Sequence, residues 1–245
     1  MKIKWLFVVS LILLTVFSSS TFYLLWSTQQ NEVSDTETLF QLEAFNTLCA
    51  GNYDGCLTYE ELAEHGDFGI GAFDKMDGEM IALNGIFYQI TIDGNPRQVE
   101  PSMTTPYATV TFFEADETQT LTNPANYSEV QTIIQNVMPS ENAIYAIKIS
   151  GNFLYAKTRS VPPQVKPYPT IEDVVKNQSV FDLNNVSATA VGFWFPNSMD
   201  GVDYAGFHLH LITDDGSAGG HLLEFTIENA TIELDQTKNF NLVLP

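Results

Sequence analysis

The sequence predicts an α+β fold with mostly antiparallel and mixed β-sheets in two subdomains and a few short helices. Short apolar runs recur between turn signals, as expected of strands, while helical spacing is confined to brief stretches. A proline-rich segment then interrupts the chain. We place a boundary there, between an N-terminal α/β subdomain (38–165) and a C-terminal β subdomain (166–245). The prolines of this segment are Pro162, Pro163, Pro167 and Pro169.

The N-terminus has the pattern of an export signal. Lys2 and Lys4 precede a long apolar run that is followed by serines. Apolar character resumes up to Trp26, so an uncleaved membrane anchor is the alternative. We therefore predict a signal peptide or N-terminal anchor over residues 1–26, a linker over 27–37, and export to the extracellular or periplasmic space.

Charge and cysteine content restrict the function further. The chain has 30 acidic and 10 basic residues, a net charge of -20, which disfavours binding to nucleic acid. Contact with a membrane is expected only through the N-terminus. Cys49 and Cys56 are too few for a cysteine-based metal site, and both a short disulfide and two free thiols remain open.

Several elements can be assigned before the proline-rich segment. Thr58 is a good N-cap for a helix that reaches His65, with acidic residues in its first turn. Asn84 and Gly85 tolerate the positive φ of a tight turn and predict a hairpin. The remaining predictions are a strand or short helix over 39–49, a strand over 107–114, a helix over 127–138 and a hairpin about Gly151.

After the prolines, strands dominate the prediction. Residues 170–176 have the composition of a short helix, and a strand-rich run over 187–195 follows. The clearest hairpin joins residues 207–213 to 222–227, because the DDGSAGG segment between them favours chain reversal. Two short strands, 231–234 and 242–244, complete the chain.

Three of the four histidines lie in this hairpin. His208 and His210 alternate along one strand and so face the same side, and the turn returns His221 on the neighbouring strand. Three imidazoles with an open fourth position are typical of a catalytic metal site. We predict zinc there, with another divalent metal possible; the alternative is three hydrogen-bonded histidines without metal. His65 lies far away in sequence.

Two charged residues are candidates for the same site. Arg159 ends a strand just before the proline-rich segment, where it can hold a substrate carboxylate in bidentate fashion. Taken alone, an exposed ion pair is the more common role for such an arginine. Glu79 follows the glycine-rich run, and local sequence does not separate it from a solvated turn carboxylate.

Three segments together resemble the α-acetolactate decarboxylase family: GDFGIGAFDKMDGEMIALNGIFYQI, the KTR of residues 157–159, and GFHLHLITDDGSAGGH. The resemblance runs in order over most of residues 38–245. It implies decarboxylation of 2-acetolactate, a 2-hydroxy-3-keto acid, to acetoin and CO₂ by a homodimer. By the same resemblance the zinc ligands are His208, His210 and His221, and the active-site residues are Arg159 and Glu79.

Two departures from the family pattern accompany this resemblance. Ala72 stands where members carry a threonine, and no residue matches the second glutamate that their C-terminal tail returns to the pocket. We therefore expect that tail to be absent, which leaves open a metal-binding protein without catalysis. A cupin-like metal oxygenase is the other alternative, with Asp214 near the place of its usual carboxylate ligand.

Overall fold

The computed structural model describes residues 36–245, which form one compact unit. The predicted signal peptide or anchor and nearly all of the predicted linker lie outside these residues. Within residues 36–245, no helix has both the length and the apolar character needed to cross a lipid bilayer.

About half of the described chain is strand, and the helices are short, which confirms the predicted α+β class. The helices are α1 (Phe45–Cys49), α2 (Tyr59–Leu62), α3 (Tyr127–Val137) and α4 (Ile171–Val174). The strands are β1 (Thr38–Leu42), β2 (Leu57–Thr58), β3 (Phe68–Ala72), β4 (Glu79–Leu83), β5 (Ile86–Ile90), β6 (Pro96–Gln98), β7 (Thr104–Thr105), β8 (Ala108–Thr111), β9 (Glu117–Leu121), β10 (Ala125–Asn126), β11 (Ile144–Ser160), β12 (Ser179–Phe195), β13 (Gly206–Thr213), β14 (Gly219–Thr237) and β15 (Asn239–Val243). Single 3₁₀ turns occur at 74–76, 175–177 and 197–199.

The first sheet has seven strands in the order β15-β1-β8-β3-β4-β5-β6. Its neighbours are antiparallel except for β1 and β15, which run parallel and pair Thr38 with Asn239. The last strand of the chain therefore completes the sheet that the first strand begins. The strands β4 and β5 form the hairpin predicted about Asn84 and Gly85.

The second sheet has the path β10-β14-β11-β12-β13, with β9 added beside β14. An additional pairing of β13 with β14 closes this path on itself. The two sheets pack through fully buried side chains, among them Ile81 and Ile90 from the first sheet and Phe193 and Ile212 from the second. This contact brings β4 against β13 and β14, where the predicted site lies.

The N-cap predicted at Thr58 is confirmed, but the helix is shorter than predicted. Thr58 caps α2 in a reciprocal capping box with Glu61, and α2 ends at Leu62, three residues before His65. Helix α3 begins after Asn126, which forms a second capping box with Glu129. The helix predicted over 170–176 is observed as α4 and the 3₁₀ turn that follows it.

The predicted hairpin about Gly151 is wrong. The chain instead continues as one long strand, β11, which pairs with β12 on one side and β14 on the other. A Cβ at Gly151 would lie 2.8 Å from the Cα of Ala230, so this glycine allows close strand approach rather than a turn. The pairing of β11 with β14 shifts register between Ser150 and Asn152, which marks a β-bulge where the sequence predicted a turn.

The proline-rich segment joins two strands of one sheet. Strand β11 ends before it and β12 begins after it, and the two pair antiparallel from Tyr145–Trp194 to Ser160–Ser179. Strands up to β8 therefore lie outside the second sheet, which begins with β9, and β15 returns to the first sheet. The change of sheet does not fall at residues 165 and 166, where the sequence placed the boundary. Cys49 and Cys56 are both free thiols, and burial raises the pKa of Cys49 to about 11.

Candidate metal centre and active site

The three histidines of the β13–β14 hairpin converge. His210 pairs directly with His221 across the two strands, and His208 lies two residues earlier on the same face of β13. The ring centroids of the three pairs are 5.3, 5.0 and 5.2 Å apart, and one ligand atom from each ring lies within 4.8 Å of the others. Leu209 and Leu211, on the opposite face, pack into the core.

Two glycines allow the strands that carry these histidines to approach closely. A Cβ at Gly192 of β12 would lie 2.0 Å from the carbonyl oxygen of His208, and one at Gly220 would lie 2.4 Å from that of Arg159. Gly220 also has φ +134°, which side-chain-bearing residues rarely adopt. Glycine at these positions therefore sets the spacing between the strands of the site.

The protonation state of the histidines suits a metal ion. Burial lowers the pKa of His210 to about 3 and holds the pKa values of His208 and His221 well below the usual range. His210 Nδ1 lies 2.8 Å from the carbonyl oxygen of Met80 and donates to it, which leaves Nε2 as the free lone pair. Each of the three rings keeps one buried nitrogen without a hydrogen-bond partner. Neutral imidazoles with free nitrogens are the donor set that a divalent metal such as zinc requires.

Glu79 and Arg159 form an ion pair beside the histidines. Arg159 pairs with His221 in the register of β11 and β14, and Glu79 begins β4 of the other sheet. Arg159 Nη1 lies 3.1 Å from Glu79 Oε1, and Glu79 Oε2 lies 3.5 Å from His210 Nε2. Burial raises the pKa of Glu79, and the Arg159 guanidinium partly offsets that rise. The two sheets therefore each contribute one member of a buried charged pair.

A cavity of about 390 Å³ contains all five predicted residues. Its lining combines the imidazoles and the ion pair with apolar and aromatic side chains. Ala72 also lines it and pairs with Glu79 across β3 and β4, so its methyl group replaces the threonine of the family pattern. The remaining lining includes Phe45, Leu48, Met76, Tyr107, Tyr127, Gln131, Ile171, Tyr204 and Phe207.

Other residues weighed in the sequence lie elsewhere. His65 stacks on Phe40 at 3.9 Å, away from the three clustered histidines. The second arginine of the sequence, Arg97, which was not a candidate, is exposed and pairs with Asp93. Asp214, the residue nearest the cupin-like pattern, is exposed in the turn and accepts a hydrogen bond from Ser187, so it does not join the histidines.

The sequence did not predict that two aromatic residues, Phe45 and Tyr204, line the cavity beside His208. Tyr204 lies 5.7 Å from the His208 ring, and Phe45 lies 6.4 Å from it, both edge to face. Tyr204 stands four residues before His208, which is the only local signal that it belongs to the site. Phe45 arrives from the other end of the chain, and nothing in its own segment marks it.

Comparison with known proteins agrees with this arrangement. The alpha-acetolactate decarboxylase of Methanosarcina mazei is 49% identical over 215 residues, which cover 88% of this chain and 74% of that protein. That of Bacillus licheniformis is 40% identical over 207 residues, 84% of this chain and 82% of the relative.

Solved structures give the same result. The crystal structure of alpha-acetolactate decarboxylase from Bacillus subtilis strain 168 superposes with a TM-score of 0.83 at 36% identity, covering 85% of this chain and 89% of that one. The sequence profile of the Alpha-acetolactate decarboxylase family matches residues 39–245. With the histidine cluster, the ion pair and the fold all in place, the chain belongs to the alpha-acetolactate decarboxylase family.

Proposed function

We propose that this protein converts 2-acetolactate to acetoin and CO₂, with a divalent metal ion, zinc in the first instance, held by His208, His210 and His221. One observation carries the proposal. Three buried imidazole nitrogens without partners face the same cavity as a buried arginine and carboxylate. Family membership supports the substrate and the lyase chemistry.

The reaction needs an electron sink and one proton. Cleavage of the bond between the carboxylate carbon and the hydroxyl-bearing carbon releases CO₂ and leaves an electron pair. The neighbouring ketone accepts this pair and becomes an enediolate. Protonation of the carbon that lost CO₂ then restores the ketone and gives acetoin, so the net reaction consumes one proton.

We propose that Arg159 binds the substrate carboxylate. Its side chain is 14% exposed and pairs with the carboxylate of Glu79, so the guanidinium can offer charge-assisted hydrogen bonds from a largely buried position. Holding the carboxylate fixes the direction of the bond that breaks relative to the ketone. The arginine therefore orients the substrate.

We propose that Glu79 holds and returns the proton. Burial raises the pKa of its carboxyl, which favours the protonated form that a general acid needs. The same carboxyl lies on the Arg159 side of the cavity, next to the group that binds the substrate. A proton delivered from one fixed position sets one configuration of acetoin.

Zinc fits the donor set better than the other metals considered, because an all-imidazole site with an open position is a common catalytic zinc site. A bound zinc ion supplies Lewis acidity, which stabilises negative charge that develops on oxygen. Iron, manganese and nickel also accept nitrogen ligands, so metal analysis of the purified protein decides between them.

The test is an acetoin assay on purified protein. The protein is first treated with a chelator and then reconstituted with zinc, manganese or iron(II), and acetoin and CO₂ are both measured. We expect chelation to abolish turnover and zinc to restore it, and His210→Ala to be inactive while the matched His65→Ala retains activity. Normal turnover by metal-free protein would exclude the metal-dependent mechanism, and oxygen consumption would favour the oxygenase alternative.

A further inference from the structure

Asp203 is a buried carboxylate that the proposed chemistry does not use. It lies in the segment between β12 and β13, five residues before His208, and is 1% exposed. Among residues 36–245 no lysine, arginine or histidine forms an ion pair with it. A buried carboxylate without a cation is costly unless hydrogen bonds compensate, so its contacts need an explanation.

Two hydrogen bonds hold the Asp203 side chain. Thr109 Oγ1 donates to Oδ2 at 2.9 Å, and the backbone N–H of Tyr204 donates to Oδ1 at 2.6 Å. The hydroxyl of Tyr107 lies 3.4 Å from the same Thr109 Oγ1, and burial together with the nearby Asp203 charge raises the pKa of Tyr107. Thr109 lies on β8 of the seven-stranded sheet, and Tyr107 immediately precedes that strand. Asp203 therefore links the segment before β13 to the opposite sheet.

The segment around Asp203 is also fixed through its backbone. The carbonyl of Val202 accepts from Gln41 Nε2 at 2.6 Å and from the backbone N–H of Phe45 at 2.8 Å. The carbonyl of Gly201 accepts from the backbone N–H of Asn46 at 3.1 Å. These bonds hold the start of α1 against the same segment.

The groups fixed in this way include three aromatic residues that line the cavity, which we call its aromatic walls: Phe45, Tyr107 and Tyr204. Tyr107 and Tyr204 both line it, and the Phe45 ring lies between them at 5.9 and 6.0 Å. Tyr204 and Phe45 also contact the His208 ring. Asp203 bonds to the backbone of Tyr204 and reaches the Tyr107 hydroxyl through Thr109, and it does not itself line the cavity.

We propose that Asp203 is a positioning residue: it fixes Tyr107 and Tyr204 as the walls against which the apolar part of the substrate is held. The inference rests on the proposed function for the identity of the substrate. If those walls loosen, the hydroxy-keto acid binds in several orientations, and small misplacements of a reacting group are costly.

The experiment uses zinc-reconstituted full chain and compares Asp203→Ala, Asp203→Asn, Tyr204→Ala and the double variant Asp203→Ala/Tyr204→Ala. For Asp203→Ala we expect KM to rise about 10-fold while kcat falls less than about 3-fold and zinc content is unchanged. Asp203→Asn keeps the shape and an acceptor oxygen, so it recovers most of the loss. The double variant is expected to lose less than the product of the two single losses, because part of the effect of Asp203 acts through Tyr204.

Asp235→Asn is the matched control, since Asp235 is also a buried aspartate but lies at the far end of β14. It is expected to change stability and leave KM unchanged. If Asp203→Ala does not fold, Asp203→Asn and Tyr204→Ala still measure the coupling. Additive effects of the two single substitutions, or a loss that only follows the folded fraction, would overturn the proposal.

Binding of an unreactive analogue separates this inference from the proposed function. In 2,3-dihydroxy-2-methylbutanoate an alcohol replaces the ketone, so no electron sink exists and CO₂ is not lost. Calorimetry with the zinc-loaded protein is expected to show about 10-fold weaker binding to Asp203→Ala. Wild type that binds the analogue but makes no acetoin from 2-acetolactate would refute the proposed reaction alone; equal affinity for the analogue in wild type and Asp203→Ala would refute the role of Asp203 alone.

Discussion

At the scale of single residues, the buried pair of Glu79 and Arg159 is the most constrained feature. Their side chains are 6% and 14% exposed, so removing one partner leaves a charge in a poorly solvated site. A truncation at either position therefore mixes a catalytic effect with a stability effect. A substitution that keeps the charge but changes the shape separates the two.

Arg159→Lys is such a substitution. Lysine keeps the positive charge beside Glu79 but loses the planar guanidinium, and a lost charge-assisted hydrogen bond costs about 1.5–3 kcal/mol. We expect kcat/KM to fall roughly 10- to 100-fold with zinc still bound, measured by acetoin formation and metal analysis. Arg97→Lys is the control, because Arg97 is exposed on β6. An unchanged rate for Arg159→Lys would show that the guanidinium does not hold the carboxylate.

Asp235 couples stability to pH. Burial, followed by nearby carboxylates, raises its pKa to about 7, above the value of about 4 expected in the unfolded chain. The folded state therefore binds more protons between these pH values, so this group makes the protein less stable as pH rises from about 4 to 7. Asp235→Asn removes the charge and is expected to raise the free energy of unfolding by about 1–2 kcal/mol at pH 8.

Urea unfolding of wild type and Asp235→Asn at pH 8 and at pH 4 measures this effect. The difference between the two proteins is expected to be largest at pH 8 and to shrink towards pH 4. Glu117→Gln serves as the control, since Glu117 is an exposed acid on β9, beside the same strand. A stability difference that does not vary with pH would contradict the assignment.

At the scale of elements, close strand approach places the histidines. A Cβ at Gly192 would meet the His208 carbonyl at 2.0 Å, so Gly192→Ala forces β12 and β13 apart. Overpacking of this kind costs about 1–3 kcal/mol, and here the displaced strand carries two of the three candidate ligands. We expect lower stability together with at least about 10-fold weaker zinc binding, measured by competition with a chromophoric chelator.

Gly151→Ala provides the matched comparison. Its Cβ would meet Ala230 at 2.8 Å in the same sheet, in a part of β11 remote from the histidines. It is expected to lower stability by a similar amount and to leave zinc affinity unchanged. Equal losses of zinc affinity in both variants would mean that general destabilisation, and not strand spacing, controls the site.

Local signals predicted those elements whose determinants are close in sequence. The β4–β5 hairpin follows from Asn84 and Gly85, and the β13–β14 hairpin from the glycine-rich turn, which is why the convergence of the three histidines was predictable. Gly151 was misinterpreted because the same residue serves a turn and a crowded strand. Only the neighbour across the sheet, Ala230, decides between them.

Long-range pairing was beyond sequence reasoning. The pairing of β1 with β15 joins residues about two hundred positions apart, and no local pattern specifies a strand partner at that distance. Asp203 was hidden for a related reason. It is one of 30 acidic residues, and only contacts with Thr109 and Tyr107 from the other sheet distinguish it from a solvated turn carboxylate.

At the scale of the whole molecule, the site joins the two sheets. The candidate ligands belong to the second sheet, whereas Glu79 and the Met80 carbonyl that accepts from His210 belong to the first. The chain as a whole carries a net charge of -20, which disfavours binding to nucleic acid. Export and a homodimer stay predictions, to be examined by fractionation of cells and by light scattering.

Because the site spans both sheets, metal binding is expected to stabilise the entire fold. A ligand at 100 times its dissociation constant adds about 2.7 kcal/mol, which for a chain of this size corresponds to a rise in Tm of about 5–10 °C. Thermal unfolding of metal-free protein with and without zinc tests this, and magnesium, which prefers oxygen ligands, should give no comparable rise. His210→Ala is expected to lose the zinc-dependent increment, whereas His65→Ala keeps it because His65 stacks on Phe40 outside the site. An equal zinc effect in His210→Ala would place the stabilising metal somewhere other than the three clustered histidines.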